Sequence, residues 1–259
     1  MESRKEDEMH ETDARRVALV TGSGRNIGRA TAIALAEDGC DVVVNVRHSE
    51  SEAESVAADV RVAGARSVVC VADVRDPDAV DRMFATARSE LGPVTVLVNN
   101  AAVRTEMPIG DLEFDEWQRI LGIILDGAFL CSRAAISHMR EAGWGRIINL
   151  AGLSGQAGAP DRAHVVTAKS GIIGLTKALA VELAPDGITV NAVSPGMIDT
   201  VRQTDSSPAE PKHHHRLHVP VGRRGRPDEV ARVIRFLASR ESGYITGHTL
   251  NVNGGAYIA

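Results

Sequence analysis

From Arg16 onward the hydrophobic pattern of the chain alternates between two periods. Short, nearly continuous β-branched runs lie at Val17–Val20, Asp41–Val46, Ser67–Ala72, Val94–Val98, Arg146–Leu150, Ile188–Val193 and His248–Val252. Such runs predict parallel strands covered on both faces. Between them, apolar residues recur at helical spacing. Asp76 before Pro77 reads as an N-cap with Pro at the first helical position, and that helix runs to Gly92. Another starts near Ala163 and ends before Pro185 and Gly187. Repeated strand–helix units imply a parallel sheet with right-handed crossovers. The expectation is one α/β domain over residues 16–259, a doubly wound parallel seven-stranded sheet with helices on both faces, after a charged tail at 1–15.

Two stretches break the rhythm. Gln156–Asp161 is a short Gly/Pro loop, and Pro195–Pro220 is longer, polar and rich in histidine. A long loop inside a compact domain is commonly a functional lid, so a substrate lid is expected at about 195–220. Its histidines His213, His214, His215 and His218 are more simply a solvated cluster than a metal or catalytic set. His138, on a predicted helix, reads as a surface or interface residue.

Composition narrows the function. The net charge of −5 with no basic cluster argues against a nucleic-acid partner. No uninterrupted apolar run approaches the roughly 20 residues of a membrane span, and the charged N-terminus lacks a signal-peptide core. Cys40, Cys70 and Cys131 fit neither metal nor disulfide spacing, so a reduced, cytoplasmic protein without a metal is expected. Aromatics make up only 3% of the 259 residues, and the sole tyrosines are Tyr244 and Tyr257. A phenol from earlier in the chain is excluded.

The candidate cofactor site follows the first strand: Gly22, Ser23, Gly24, Arg25, Asn26, Ile27 and Gly28 open the next helix. Glycines there permit a tight turn and let backbone N–H groups approach a pyrophosphate at the helix N-terminus. The second strand ends Asn45-Val46-Arg47-His48, without the carboxylate that would bind an NAD ribose. Arg25 and Arg47 can instead pair with a 2′-phosphate, so NADP(H) is favoured over NAD(H).

Together with Ala72-Asp73-Val74, Asn99-Asn100-Ala101, Gly145-Arg146-Ile147-Ile148-Asn149, Ala168-Lys169-Ser170-Gly171, Ser194-Pro195-Gly196 and Asn251-Val252-Asn253-Gly254-Gly255, the chain resembles the short-chain dehydrogenase/reductase family, with its Rossmann fold, from about Arg16 to Ala259. The resemblance implies that Asp73 and Val74 contact adenine, Asn99 and Ala101 the adenine-side ribose region, and Lys169 the nicotinamide ribose. Pro195, Gly196, Ile198 and Thr200 would line the nicotinamide. It also implies a homodimer or homotetramer built on the long helices around Trp117–Ala142 and Ala163–Leu183. Asn26 replaces a glycine of the usual pattern and Ala102 another.

The family's catalysis, as the resemblance implies it, uses Asn, Ser, Tyr and Lys. The matching positions here are Ile124, Gly152, Val165 and Lys169, so the lysine alone is retained. A positioned acid typically contributes about 10²–10⁴-fold, and such an acid is absent at those three positions. Asp161 and His164 are candidate substitutes, although His164 points about 100° from Val165 on an ideal helix. Three functions are compatible: hydride transfer on a small molecule needing little acid help, such as an imine, quinone or activated alkene; non-redox elimination or cyclisation; and a catalytically silent nucleotide-binding subunit.

Overall fold

The computed structural model describes residues 15–201 and 218–258. Seven parallel strands, β1 (Val17–Val20), β2 (Asp41–Val46), β3 (Ser67–Val71), β4 (Val94–Asn99), β5 (Gly145–Leu150), β6 (Ile188–Pro195) and β7 (Thr249–Val252), stand in the order β3-β2-β1-β4-β5-β6-β7. The expected doubly wound α/β architecture is the one observed.

The absence of alternation in the strands has a direct cause. Ala18, Val20, Val42, Val44, Val96 and Val98 point into a core shared with α1 (Asn26–Glu37), α2 (Glu50–Val62) and α8 (Pro227–Ala238). Their neighbours Val17, Leu19, Val43 and Leu97 point into the opposite core, under α3 (Pro77–Glu90), α5 (Gly127–Ala142) and α7 (Ala163–Leu183). Both faces of the central strands are covered, so apolar residues there occur in succession instead of alternating with polar ones. The Asp76 carboxylate caps α3 by accepting from the N–H groups of Asp78 and Ala79 at 2.9 and 3.3 Å.

Three local features differ from the sequence pattern. The single long helix expected around Trp117–Ala142 is α4 (Phe114–Leu121), a π-helical turn at Gly122–Asp126, then α5. Its 29-residue run Phe114–Ala142 is long and apolar enough to cross a bilayer by length and composition. It nevertheless packs on the sheet with residues in two of the cores. Part of the loop expected at 156–161 is the end of a short helix, α6 (Ser154–Ala157). His138 is buried rather than exposed: its Nδ1 accepts from the Val94 N–H at 3.1 Å, and its ring meets Phe84 edge-on.

β1 lies between β2 and β4, which leave it by opposite crossovers. The carboxyl ends of β1 and β4 therefore flank a topological switch point, where open α/β sheets place their ligands.

Candidate active site

A cavity of about 700 Å³ opens at that switch point. Its floor is the turn between β1 and α1. Gly22 has φ +62°, and a Cβ on Gly28 would lie 2.5 Å from the Gly22 carbonyl oxygen and 2.7 Å from Asn100 Nδ2. No side chain fits at either place, so backbone lines the floor there. Asn26 also has a positive φ, of 52°, which asparagine adopts more readily than other non-glycine residues. The buried Asn45 holds the turn from below: its backbone carbonyl accepts from Ser23 N–H at 2.8 Å, and its side chain donates to the carbonyls of Cys70 and Ala72, each at 3.1 Å. This backbone cradle at a helix N-terminus fits the pyrophosphate of a dinucleotide.

Of the expected cofactor contacts, Gly22, Arg25, Asn26, Ile27, Gly28, Arg47, Asp73, Val74, Ala101 and Thr200 line the cavity. Ser23, Asn99, Lys169, Pro195, Gly196 and Ile198 are not part of its lining. The Ser23 hydroxyl is buried and donates to the Asn45 carbonyl at 3.3 Å. Asn99 faces inward and donates to Asn149 Oδ1 at 2.8 Å, so its role is to tie β4 to β5. Ile198 is packed in the core under α8. Gly196 lies so close to Asn253 that a Cβ would be 2.8 Å from its Cα.

Beside the carboxyl end of β2, Arg25, Arg47, His48, Ser49 and Glu52 line the cavity. A Cβ on Gly24 would lie 3.4 Å from Glu52 Oε2, so a carboxylate does reach this end, brought by the first turn of α2 rather than by the strand. Arg75 grips Asp73 with hydrogen bonds of 2.6 to 3.1 Å and holds its carboxyl below the usual carboxylate range.

The four positions singled out by the family resemblance split into two environments. Ile124, in the π turn, and Val165, on α7, are buried in one apolar cluster with Ile120, Ala168 and Ile172. They close on this core and line neither cavity. Gly152 has φ +91° and nothing within 4 Å of where its Cβ would stand. The Lys169 ammonium donates to the Leu150 carbonyl. Burial, followed by the like charges of Arg104 and Arg162, pushes its pKa down to about 7.

Neither proposed substitute reaches the main cavity. Asp161, at φ +57°, lines a second cavity of about 410 Å³ formed with Pro108, Ile109, Gly158, Ala159 and Val166. His164 is fully buried, with Nε2 2.7 Å from Thr105 Oγ1, and Thr105 is the residue that lines the main cavity. The Thr105 hydroxyl donates its one hydrogen to Glu116 Oε1 at 2.9 Å, so His164 Nε2 must be the donor to Thr105. Burial lowers the pKa of His164. Glu116 is bound by Arg119 at 2.6 and 2.8 Å and lies below the usual carboxylate range for that reason. His213, His214 and His215 lie outside the described residues, and His218 is exposed. Among the described residues, no group of His, Cys, Asp and Glu is arranged to hold a metal ion.

The chain matches, over residues 22–257, the family profile described as Enoyl-(Acyl carrier protein) reductase. It is 42% identical over 240 residues to a 3-oxoacyl-(acyl-carrier-protein) reductase of Synechocystis sp., covering 92% of this chain and 96% of that protein. A Staphylococcus aureus protein of the same name is 41% identical, covering 93% and 98%. A crystal structure of a putative short-chain alcohol dehydrogenase from Sinorhizobium meliloti superposes with a TM-score of 0.87 at 37% identity, over 93% of this chain and 96% of that one. The chain is a short-chain dehydrogenase/reductase.

Within this short-chain dehydrogenase/reductase, the sequence pattern missed Glu52, Arg104, Thr105, Glu106, Arg119 and Arg162, all of which line the main cavity. They come from segments without a motif of their own. The only available signal was the density of charge in Arg104-Thr105-Glu106 directly after the Asn99-Asn100-Ala101 strand end.

Proposed function

We propose that this short-chain dehydrogenase/reductase is an NADP(H)-dependent oxidoreductase acting on a substrate that needs little acid catalysis, namely an imine, a quinone or an activated alkene. The observation that carries the reading is the burial of Ile124 and Val165 in one apolar cluster, where the family resemblance expects an amide and a phenol. Neither Tyr244 nor Tyr257 lines either cavity. Ketone reduction leaves an alkoxide to be protonated, whereas hydride addition to an iminium places the released electron pair on a nitrogen that is already positive. The second process needs no proton donor.

Gly22, Asn26 and Gly28 would cradle the pyrophosphate, Arg25 and Arg47 would hold the 2′-phosphate, and Thr200 would border the nicotinamide end. A nicotinamide cofactor so held supplies or accepts the hydride. The relatives named 3-oxoacyl-(acyl-carrier-protein) reductase make a 3-oxoacyl thioester the alternative substrate of the same site. Pairing with a second copy through α5 and α7, as a homodimer or homotetramer, completes the reading; Phe129 and Val181 on these helices are 48% and 81% exposed. Three free, buried cysteines suit a reducing cytoplasmic compartment.

The test has two parts. Calorimetric titration should show NADPH binding tighter than NADH, with Arg47→Ala weakening NADPH about tenfold or more and leaving NADH unchanged. NADPH consumption is then followed with imines, quinones, activated alkenes and an acetoacetyl thioester. Consumption with the thioester at rates equal to the imines would overturn the acid-independent reading. Substrate conversion without NADPH consumption would indicate elimination or cyclisation, and no NADPH binding would overturn the assignment altogether.

A further inference from the structure

β2 closes on Val46 and is followed by Arg47 and His48, so the strand end itself carries no carboxylate. The next helix supplies one. A Cβ on Gly24 would lie 2.9 Å from Val46 Cγ1 and 3.4 Å from both Cβ and Oε2 of Glu52. One point in the turn after β1 is thus bordered by the end of β2 and by the Glu52 carboxylate, with no side chain on Gly24 to hold them apart. Glu52 is half-buried in the first turn of α2, where the helix dipole favours an acidic side chain. The main cavity reaches this point, since Gly24, Val46 and Glu52 all line it, together with Arg25, Arg47 and His48. Asp73 lines the cavity as well, but Arg75 grips its carboxylate.

We propose that Glu52 governs cofactor discrimination: its carboxylate accepts from the adenosine ribose 2′-hydroxyl of NADH and repels the 2′-phosphate of NADPH, which holds down the NADPH preference that Arg47 creates. This rests on the reading of the cradle as a dinucleotide site and names the residue that weighs its two forms against each other. In dinucleotide-binding sheets the adenosine ribose lies by the end of the second strand, where a carboxylate suits a free hydroxyl and an arginine suits a phosphate. Here both kinds of group border the same place, Arg47 from the strand end and Glu52 from α2. A hydroxyl donating to a carboxylate makes a charge-assisted bond, stronger than a neutral one. A phosphate set beside the same carboxylate meets Coulomb repulsion that the half-buried position screens only in part. An amide at position 52 keeps the size and one acceptor oxygen and removes the charge. The two cofactors therefore respond to that one substitution in opposite directions.

The experiment titrates the full-length protein by calorimetry with NADPH and NADH, and with adenosine 2′,5′-bisphosphate and adenosine 5′-monophosphate. The second pair differs only in the 2′-phosphate and reads the discrimination without a nicotinamide. Glu52→Gln should tighten NADPH and weaken NADH, raising the ratio of affinities within each pair about tenfold. Glu52→Lys, an independent variant, should move both ratios further in the same direction. Glu50→Gln removes an exposed charge from the same helical turn at a position that does not line the cavity, and should leave both ratios within about twofold of the wild type. Unchanged ratios in both Glu52 variants would overturn the proposal, as would equal loss of affinity for both members of each pair. A shift in Glu50→Gln as large as in Glu52→Gln would overturn it too, by showing a general effect of charge. Failure of all four ligands to bind overturns this proposal together with the dinucleotide reading. Binding of all four without NADPH consumption on any substrate overturns the oxidoreductase reading alone.

Discussion

The carboxamide of Asn26 holds both backbone polar groups of Val201: Nδ2 donates to its carbonyl and Oδ1 accepts from its N–H, each at 2.9 Å. The same residue sits at φ 52° in the pyrophosphate turn, so one side chain joins the cofactor cradle to the segment after Thr200. Asn26→Gly keeps the backbone conformation and loses the clasp; Asn26→Ala loses the clasp and strains the turn. Urea unfolding should show Asn26→Ala less stable than Asn26→Gly by about 1 kcal/mol, the cost of a left-handed non-glycine residue. Equal stabilities would show that the turn does not constrain position 26.

Val165 is 2% exposed in a cluster that also contains Ile124. Val165→Tyr forces a ring into filled space and should destabilise by about 1–3 kcal/mol. Adding Ile124→Ala makes room, so the double variant should recover part of the loss instead of summing the two costs. Strict additivity in denaturant titrations would mean that the two positions do not share their packing.

Lys169 makes stability depend on pH in an unusual direction. Its folded pKa is about 7, pushed down first by burial and then by Arg104 and Arg162, while the unfolded lysine titrates near ~10.4. Between these values the unfolded state binds the extra proton, so stability rises with pH. Below about pH 7 the penalty is complete. Against a Lys169→Met variant, the wild type should gain up to about 1.4 kcal/mol per pH unit from pH 7 to 8.5. A gap that stays constant over that window would show an ammonium charged in both states.

His138 couples stability to pH in the same direction, at lower pH. Burial, then the charge of Arg88, lowers its pKa, and Nδ1 must stay unprotonated to accept from Val94. Its stabilisation is full above the ordinary histidine value near 6.5 and is lost as pH falls through the folded value. His138→Phe leaves the Val94 N–H without that acceptor, which should cost about 1–3 kcal/mol at pH 7. The same variant should show a flatter loss of stability on acidification to pH 5.5. An unchanged acid limb would assign the loss to other groups, His164 first among them.

The resemblance to the short-chain dehydrogenase/reductase family was legible because its glycines and strand ends are local: Gly28 is demanded by a backbone approach within its own turn, and Asp76 caps the helix that it starts. His138 was misread because one helix shows a polar residue without showing that the first N–H of β4, from Val94, is aimed at it. Glu52 escaped notice for a similar reason. It stands seven residues beyond Asn45, outside the strand end where a ribose-binding carboxylate is sought, and only the turn into α2 returns it to Gly24.

The sequence by itself determined the seven strands, the double-sided cover that lets apolar residues follow one another in the central ones, the cradle and the lack of a tyrosine before position 244. These follow from periodicity, backbone sterics and composition, which act over a few residues. Tertiary structure alone decided that Ile124 and Val165 share a core, that His164 stands behind Thr105, and that Arg162 lines both cavities. Each of these brings together side chains from segments far apart in the chain, and which of them meet is set by packing and desolvation in three dimensions.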